Sequence, residues 1–298
     1  MMKVTRDLEG KVALVTGGAK GVGKVIARQL AERGARVIIN FFHSLEDARQ
    51  TKAELQALGA GVEIMRASVA QPTQIEQMFN RIAEEYGYLD ILINNAASGA
   101  FLSPDEITPQ LFDRALDTNL KGSFWCARLA APLMQKRGGG CIVNISSVGA
   151  GQVPANYLVV GTSKAGVEAL TRYLAVEYGP LNIRVNTASS TMLEGEVARN
   201  FPRYEDMRRQ SIFATPLKRD GLATAQDLAG IVAFLTSDLS HFVTGQTILA
   251  DGGLTLNSLA LSPLPEIKLP ASSRQLSENL HPSQDTQHSA LSTQHSAL

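Results

Sequence analysis

The chain has no excess charge of either sign. Its 28 basic and 28 acidic side chains cancel to a formal net charge of zero. That excludes holding nucleic acid by bulk positive charge. Cysteine is nearly absent: Cys126 and Cys141 are the only two in 298 residues. A disulfide scaffold is therefore excluded, and a reducing compartment fits. No run of about 18 apolar residues occurs, so no membrane span is expected. Met1 to Gly10 is polar and carries no apolar signal-peptide core. What is present is 44% apolar residues, enough to bury a sizeable core. These features together predict a soluble, cytoplasmic globular protein with neither a nucleic-acid nor a membrane partner. At roughly 150 residues per domain the length suggests two domains, but α/β folds run to about 250 residues as one.

The composition changes after Asp251-Gly252-Gly253. Residues 257–298 hold no glycine and no aromatic residue, and many Ser, Gln and Pro. Thr-Gln-His-Ser-Ala-Leu stands at 286–291 and again at 293–298. Such a segment buries too little apolar surface to offset its ordering entropy, and a disordered tail is expected there. Its histidines, His281, His288 and His295, have no cysteine or carboxylate cluster beside them, so no metal site is expected.

Residues 1–256 alternate between strand and helix signals. Short β-branched apolar runs stand at 11–16, 36–40, 62–66, 89–93, 141–145, 183–186 and 247–249. Between most of them lie stretches with apolar residues three and four apart, such as 22–33 and 164–178. This order predicts an α/β fold, a parallel sheet with helices on both faces. Unbroken apolar strands fit burial on both sides.

Thr16-Gly17-Gly18-Ala19-Lys20-Gly21-Val22-Gly23 follows the first strand and opens the first helix. Glycines there allow a tight turn and close approach of a pyrophosphate, and the helix N-terminus supplies free N–H groups. Gly17, Lys20, Gly21, Val22 and Gly23 are therefore candidate dinucleotide-binding residues. The second strand ends Asn40-Phe41-Phe42-His43-Ser44, without the acidic residue that would hold a ribose 2′-hydroxyl. Lys20, His43 and Ser44 could surround a 2′-phosphate instead, which points to NADPH.

At this point the sequence resembles the short-chain dehydrogenase/reductase family over about residues 8–256. The motifs are the glycine turn, Asn94-Asn95-Ala96-Ala97, Asn119 in Asp-Thr-Asn-Leu-Lys-Gly, Ser146-Ser147, Ser163-Lys164-Ala165 and Asp251-Gly252-Gly253. The resemblance implies a single Rossmann-type doubly wound domain, here with seven strands. It also implies nicotinamide-dependent hydride transfer, commonly by a homotetramer. One departure matters. Ordinary members carry Tyr-x-x-x-Lys, but the residue four before Lys164 is Val160, and the preceding tyrosine is Tyr157. The resulting Tyr-x6-Lys resembles the NADPH-dependent enoyl-acyl-carrier-protein reductases of the FabL type. So do Asn94 to Gly99, Asn156 to Gly161, Glu168 to Glu177, Asn200-Phe-Pro and Gly245-Gln-Thr-Ile. The expected substrate is a trans-2-enoyl thioester on acyl carrier protein or coenzyme A. If helical, the longer spacing would set the tyrosine about one turn further from the lysine.

On this resemblance, Tyr157 would stabilise the thioester oxygen in the manner of an oxyanion hole, and Lys164 would hold the nicotinamide ribose. Ser147 is a secondary catalytic contact. Asn119 is either part of the catalytic network or a structural residue bonding a helix carbonyl. Asn95 and Ala96 would line the cofactor, Ser68-Val69 would lie beside adenine, and Leu193 would meet the carboxamide. Residues 192–215 read as a mobile lid in which Met192, Leu193, Phe201 and Phe213 could cover an acyl chain. Arg199, Arg203, Arg208 and Arg209 could meet an acidic carrier or simply be solvated. Trp125 and Cys126 look like helix core. Two rivals stand beside the enoyl reading. One is a 3-oxoacyl or other carbonyl reductase, with Tyr157 acting from an unusual position. The other is a non-catalytic NADP-binding protein.

Overall fold

The computed structural model describes residues 6–218 and 221–257. The expected tail thus lies outside the described residues, apart from Asn257. That residue belongs to the folded part: its Nδ2 donates to the Ala214 carbonyl at 2.8 Å.

The chain alternates as expected. In order come β1 (Val12–Val15), α1 (Gly21–Glu32), β2 (Arg36–Phe41), α2 (Leu45–Gln56), β3 (Val62–Arg66), α3 (Pro72–Tyr86), β4 (Ile91–Asn94) and α4 (Pro109–Ala115). A π-helical turn, Leu116–Lys121, joins α4 to α5 (Gly122–Gln135). Then follow β5 (Gly140–Ile145), α6 (Leu158–Tyr178), β6 (Ile183–Ser190), α7 (Glu196–Arg199), α8 (Tyr204–Ala214), α9 (Ala225–Leu235) and β7 (Thr247–Ala250).

All seven strands lie in one sheet of order β3-β2-β1-β4-β5-β6-β7, and every pairing is parallel. Both faces are covered, which is why the strands lack polar alternation. Ala13, Val15, Val37, Ile39, Ile91 and Ile93 face one cluster with Ile26 and Leu30 of α1 and Leu228 and Val232 of α9. Val12, Leu14, Ile38 and Leu92 face the other, with Ile75 and Ile82 of α3 and Ala127 and Met134 of α5.

Two elements are longer than the apolar runs predict. β6 continues through Thr187 to Ser190, because these residues, three of them polar, pair with β7 and are buried. α6 begins at Leu158, well before Lys164. A buried polar chain ties the strand ends together. Asn94 Nδ2 donates to Asn144 Oδ1 at 2.9 Å, and Asn144 Nδ2 donates to Thr171 Oγ1 at 2.8 Å. Thr171 and Thr187 share a hydroxyl contact of 2.7 Å. β1 lies between β2 and β4, so the crossovers diverge there. Ligands of such sheets bind in the crevice at the carboxyl ends of these strands.

Candidate active site

The glycine turn sits at that crevice. Gly17 and Gly21 have φ of +61° and +55°, which glycine adopts without steric cost. A Cβ on Gly23 would fall 2.3 Å from the Gly17 carbonyl oxygen, so the helix packs tightly under the turn. Nothing lies within 4 Å of a Cβ on Gly21, leaving open space before the helix N-terminus. Lys20 is the exposed N-cap of α1, Val22 packs against the core as its second residue, and the first turn carries no acidic side chain. This cradle fits an anionic pyrophosphate.

Asn95 acts on the turn itself. Its Nδ2 donates to the carbonyls of Thr16 and Gly17 at 2.9 and 3.0 Å. The backbone N–H of Ala96 donates to Thr16 Oγ1 at 3.1 Å. These residues hold the turn against the β4 loop. Ser68 and Val69 follow β3, and the Ser68 N–H donates to Gln74 Oε1 at 2.9 Å. Leu193 pairs with Ala223 in an isolated parallel bridge and packs on the core.

At the end of β2, Asn40 is buried and turned inward, with Nδ2 donating to the Met65 and Ala67 carbonyls. His43 is exposed, and Ser44 is the N-cap of α2, whose first turn holds Glu46 and Asp47. The structure adds a residue that the sequence reading missed. Arg66 pairs in register with Phe41, and its Nε donates to the Phe42 carbonyl at 3.1 Å. Its guanidinium lies 5.6 Å from the Phe42 ring centroid, and the His43 ring packs on the same phenyl at 4.3 Å. Arg66 and His43 thus both pack on one phenyl ring at the end of β2, and position 40 holds no carboxylate.

Tyr157 is the N-cap of α6, following Asn156 at φ +60°. It is not helical, which corrects the simple one-turn picture. Its carbonyl accepts the Gly161 N–H at 2.7 Å. Its ring lies over Gly149, where a Cβ would fall 2.3 Å from Cε1. Burial pushes the phenol's pKa up, and a hydrogen bond from the Ser147 side chain opposes that rise. Ser147 Oγ also accepts the Gly149 N–H at 3.2 Å. Lys164 is buried and donates to the Ile145 carbonyl at 2.6 Å. Burial lowers its pKa to about 8.

Val160 presses on the β4 loop: a Cβ at Gly99 would fall 2.2 Å from its Cγ2. The position where ordinary members carry tyrosine is therefore filled by an apolar packing contact.

Asn119 sits in the π-helical turn, a distortion that often marks functional sites. Its Oδ1 accepts the Ser98 N–H at 2.8 Å, and its Nδ2 donates to the Ser98 carbonyl at 2.9 Å and to Ser163 Oγ at 2.8 Å. It bonds a loop and a hydroxyl, not the helix carbonyl expected of a structural role. It thereby fixes the loop that follows β4 against α6.

A family model described as Enoyl-(Acyl carrier protein) reductase matches residues 17–255. The chain belongs to the short-chain dehydrogenase/reductase family. A 3-oxoacyl-[acyl-carrier-protein] reductase FabG of Staphylococcus aureus is 37% identical over 256 residues, 85% of this chain and 99% of the relative. A 1-cyclohexenylcarbonyl-CoA reductase of Streptomyces collinus is 33% identical over 248 residues, 83% of this chain and 87% of the relative. Among solved structures, a gluconate 5-dehydrogenase of Burkholderia cenocepacia, in complex with NADP and tartrate, has 29% identity and a TM-score of 0.79. That likeness covers 86% of this chain and 99% of the other. These names do not single out the FabL type that the sequence resembles.

Residues 192–215 carry two helices, α7 and α8. Of the four apolar candidates there, Phe201 reaches the tyrosine, with ring centroids 5.6 Å apart. Phe213 is 58% exposed and Leu193 packs on the core. Met192 is half-buried. Three of the four arginines have a local carboxylate partner. Arg203 and Arg209 pair with Asp206, and Arg208 pairs with Glu194. This weakens the case for an acidic-carrier patch, leaving Arg199 exposed. Phe101 also stacks beside Tyr157 at 5.8 Å, a partner that no local pattern announces. Cys126 and Cys141 are buried. Among the described residues no cluster of His, Cys, Asp or Glu could hold a metal, and no helix is long and apolar enough to cross a membrane.

Proposed function

We propose that this chain reduces the acyl group of a thioester, carried by acyl carrier protein or coenzyme A, with NADPH. One observation carries the reading. Tyr157, the N-cap of α6, seats its ring on Gly149, two residues from Ser147, and Lys164 lies buried in the same helix at the crevice end of the sheet. Gly17, Gly21, Val22 and Gly23 would cradle the pyrophosphate, while Lys20, His43, Ser44 and Arg66 favour the 2′-phosphate. Ser68, Val69, Asn95, Ala96 and Leu193 would complete the cofactor's surroundings. When bound, the dihydronicotinamide supplies a hydride.

The rest of the chemistry falls to this chain's own groups. The Tyr157 hydroxyl donates to the substrate oxygen that gathers negative charge. Ser147 steadies that hydroxyl. Lys164 adds positive charge and would hold ribose hydroxyls. Asn119 keeps the β4 loop in place beside them.

Two reactions fit this site. The comparisons back reduction of a 3-oxoacyl thioester better, because the FabG relative of Staphylococcus aureus is named for it. There Tyr157 delivers its proton to the oxygen on C3, and the paired Ser147 hydroxyl suits a carbonyl oxygen. Reduction of a trans-2-enoyl thioester is favoured by a different observation, Val160 standing where the ordinary acid would be. In that reaction negative charge develops on the C1 oxygen, three bonds from the carbon that gains hydride and two further than in carbonyl reduction. A tyrosine displaced from position 160 to 157 suits that separation.

The test is NADPH oxidation by the purified chain with acetoacetyl and crotonyl thioesters. Turnover of the first alone selects carbonyl reduction, and turnover of the second alone selects enoyl reduction. NADPH binding without turnover of either thioester would overturn both and support a non-catalytic NADP-binding protein.

A further inference from the structure

Three aromatic rings meet at the mouth of the site, and none belongs to either core cluster. Phe101 comes from the loop after β4, Phe201 from the turn between α7 and α8, and Tyr157 from the start of α6. Phe101 and Phe201 stack at 3.9 Å with an interplanar angle of 27°. Tyr157 is 5.8 Å from one and 5.6 Å from the other, at 9° and 23°. Being almost equidistant from two stacked rings, it lies beside the pair, level with the gap between them. All three rings are only half-buried.

We propose that Phe101 and Phe201 form an aromatic clamp that opens to take the flat, conjugated end of an acyl thioester between its faces. The inference rests on the acyl-thioester reading and names a substrate class for it. A group lying in the gap has its edge toward Tyr157, where the thioester oxygen belongs. Conjugation from C3 through C2 to C1 keeps a 2-enoyl thioester planar, and an aryl group on C3 extends the plane. A 3-oxoacyl chain is tetrahedral at C2 and does not lie flat. Aromatic faces favour such planar π-systems beyond simple area burial.

Opening is structurally cheap. Phe201 is followed by α8, in which no described residue is buried. The segment is anchored before Phe201 at the Leu193–Ala223 bridge and buried Ala198, and from the end of α8 by the Asn257 bond to Ala214 and the Leu217 N–H to the Gly252 carbonyl. Phe201 can therefore swing away from Phe101 without uncovering the core.

The test uses two thioesters of equal size, trans-cinnamoyl-CoA and trans-3-cyclohexylpropenoyl-CoA, titrated by calorimetry into the full chain saturated with NADP+. Oxidised cofactor makes the readout independent of turnover. The cinnamoyl thioester is expected to bind about tenfold tighter, the upper range for one aromatic pair. Phe201→Leu and Phe101→Leu should each cut that preference to below about twofold, with NADP+ affinity unchanged. Equal affinity for the two thioesters, a preference that survives both substitutions, or no binding of either overturns the clamp. Parallel NADPH oxidation with acetoacetyl and crotonyl thioesters separates the two ideas. Turnover without discrimination sinks the clamp alone. Discrimination without any turnover supports the clamp and sinks the reductase reading.

Discussion

The ring of Tyr157 lies directly on the backbone of Gly149, so that a Cβ there would fall 2.3 Å from Cε1 and 2.5 Å from Cδ1. Gly149 follows Ser147 on the same short turn, and Ser147 Oγ caps its N–H. The glycine thus sets the height of the phenol ring above the turn that carries Ser147.

Gly149→Ala is expected to push the phenol away from Ser147. A displacement of about 1 Å at a reacting group costs about 10²-fold in rate. Steady-state kinetics should show a fall in kcat of that order, with NADPH affinity kept. Wild-type kcat in this variant would show that the ring's seat on residue 149 is irrelevant.

Burial shifts the pKa values of Lys164 and Tyr157 in opposite directions. Burial lowers the lysine to about 8, so it is cationic below that pH and neutral above it. Burial raises the tyrosine above its ordinary value, so it stays protonated through the same range. The rate kcat/KM should therefore fall on the alkaline side with an apparent pKa near 8, set by loss of the lysine charge. Lys164→Arg, which stays cationic, should abolish that limb even if its absolute rate is low. A limb near 10 in the native chain would assign the titration to another group.

Arg66 is held beside Phe42 and His43 by its bond to the Phe42 carbonyl. Arg66→Ala should weaken NADPH binding by about tenfold, the scale of one charged hydrogen bond, and leave NADH binding unchanged. Fluorescence titration of both nucleotides reads this directly. An equal loss for both would place Arg66 outside the 2′-phosphate site.

Asn119 satisfies both backbone groups of Ser98 and the hydroxyl of Ser163. Asn119→Ala strands these partners in a part-buried region and should cost about 1–3 kcal/mol of stability. Urea unfolding should show a lower midpoint with an unchanged slope.

Much of this molecule can be read along the chain. Unbroken apolar runs such as Ile91 to Ile93 announce strands covered on both faces, and the glycines at 17, 21 and 23 announce the anion-binding turn. Tyr157 and Lys164 stand out because they are close in sequence and their spacing departs from the family's pattern. These signals are local: each arises from periodicity or backbone freedom within a few residues.

Other features depend on partners far apart along the chain. Strand register, not spacing, brings Arg66 to Phe42. Phe101 meets Phe201 only when two separate loops close over the sheet's crevice. Thr187 to Ser190 look like loop residues until β7 pairs with them. Val160 and Gly99 are unremarkable until helix α6 docks on the β4 loop. Burial and side-chain proximity are properties of the packed sheet and its crossovers, and no local pattern of residues reveals which distant surfaces will touch.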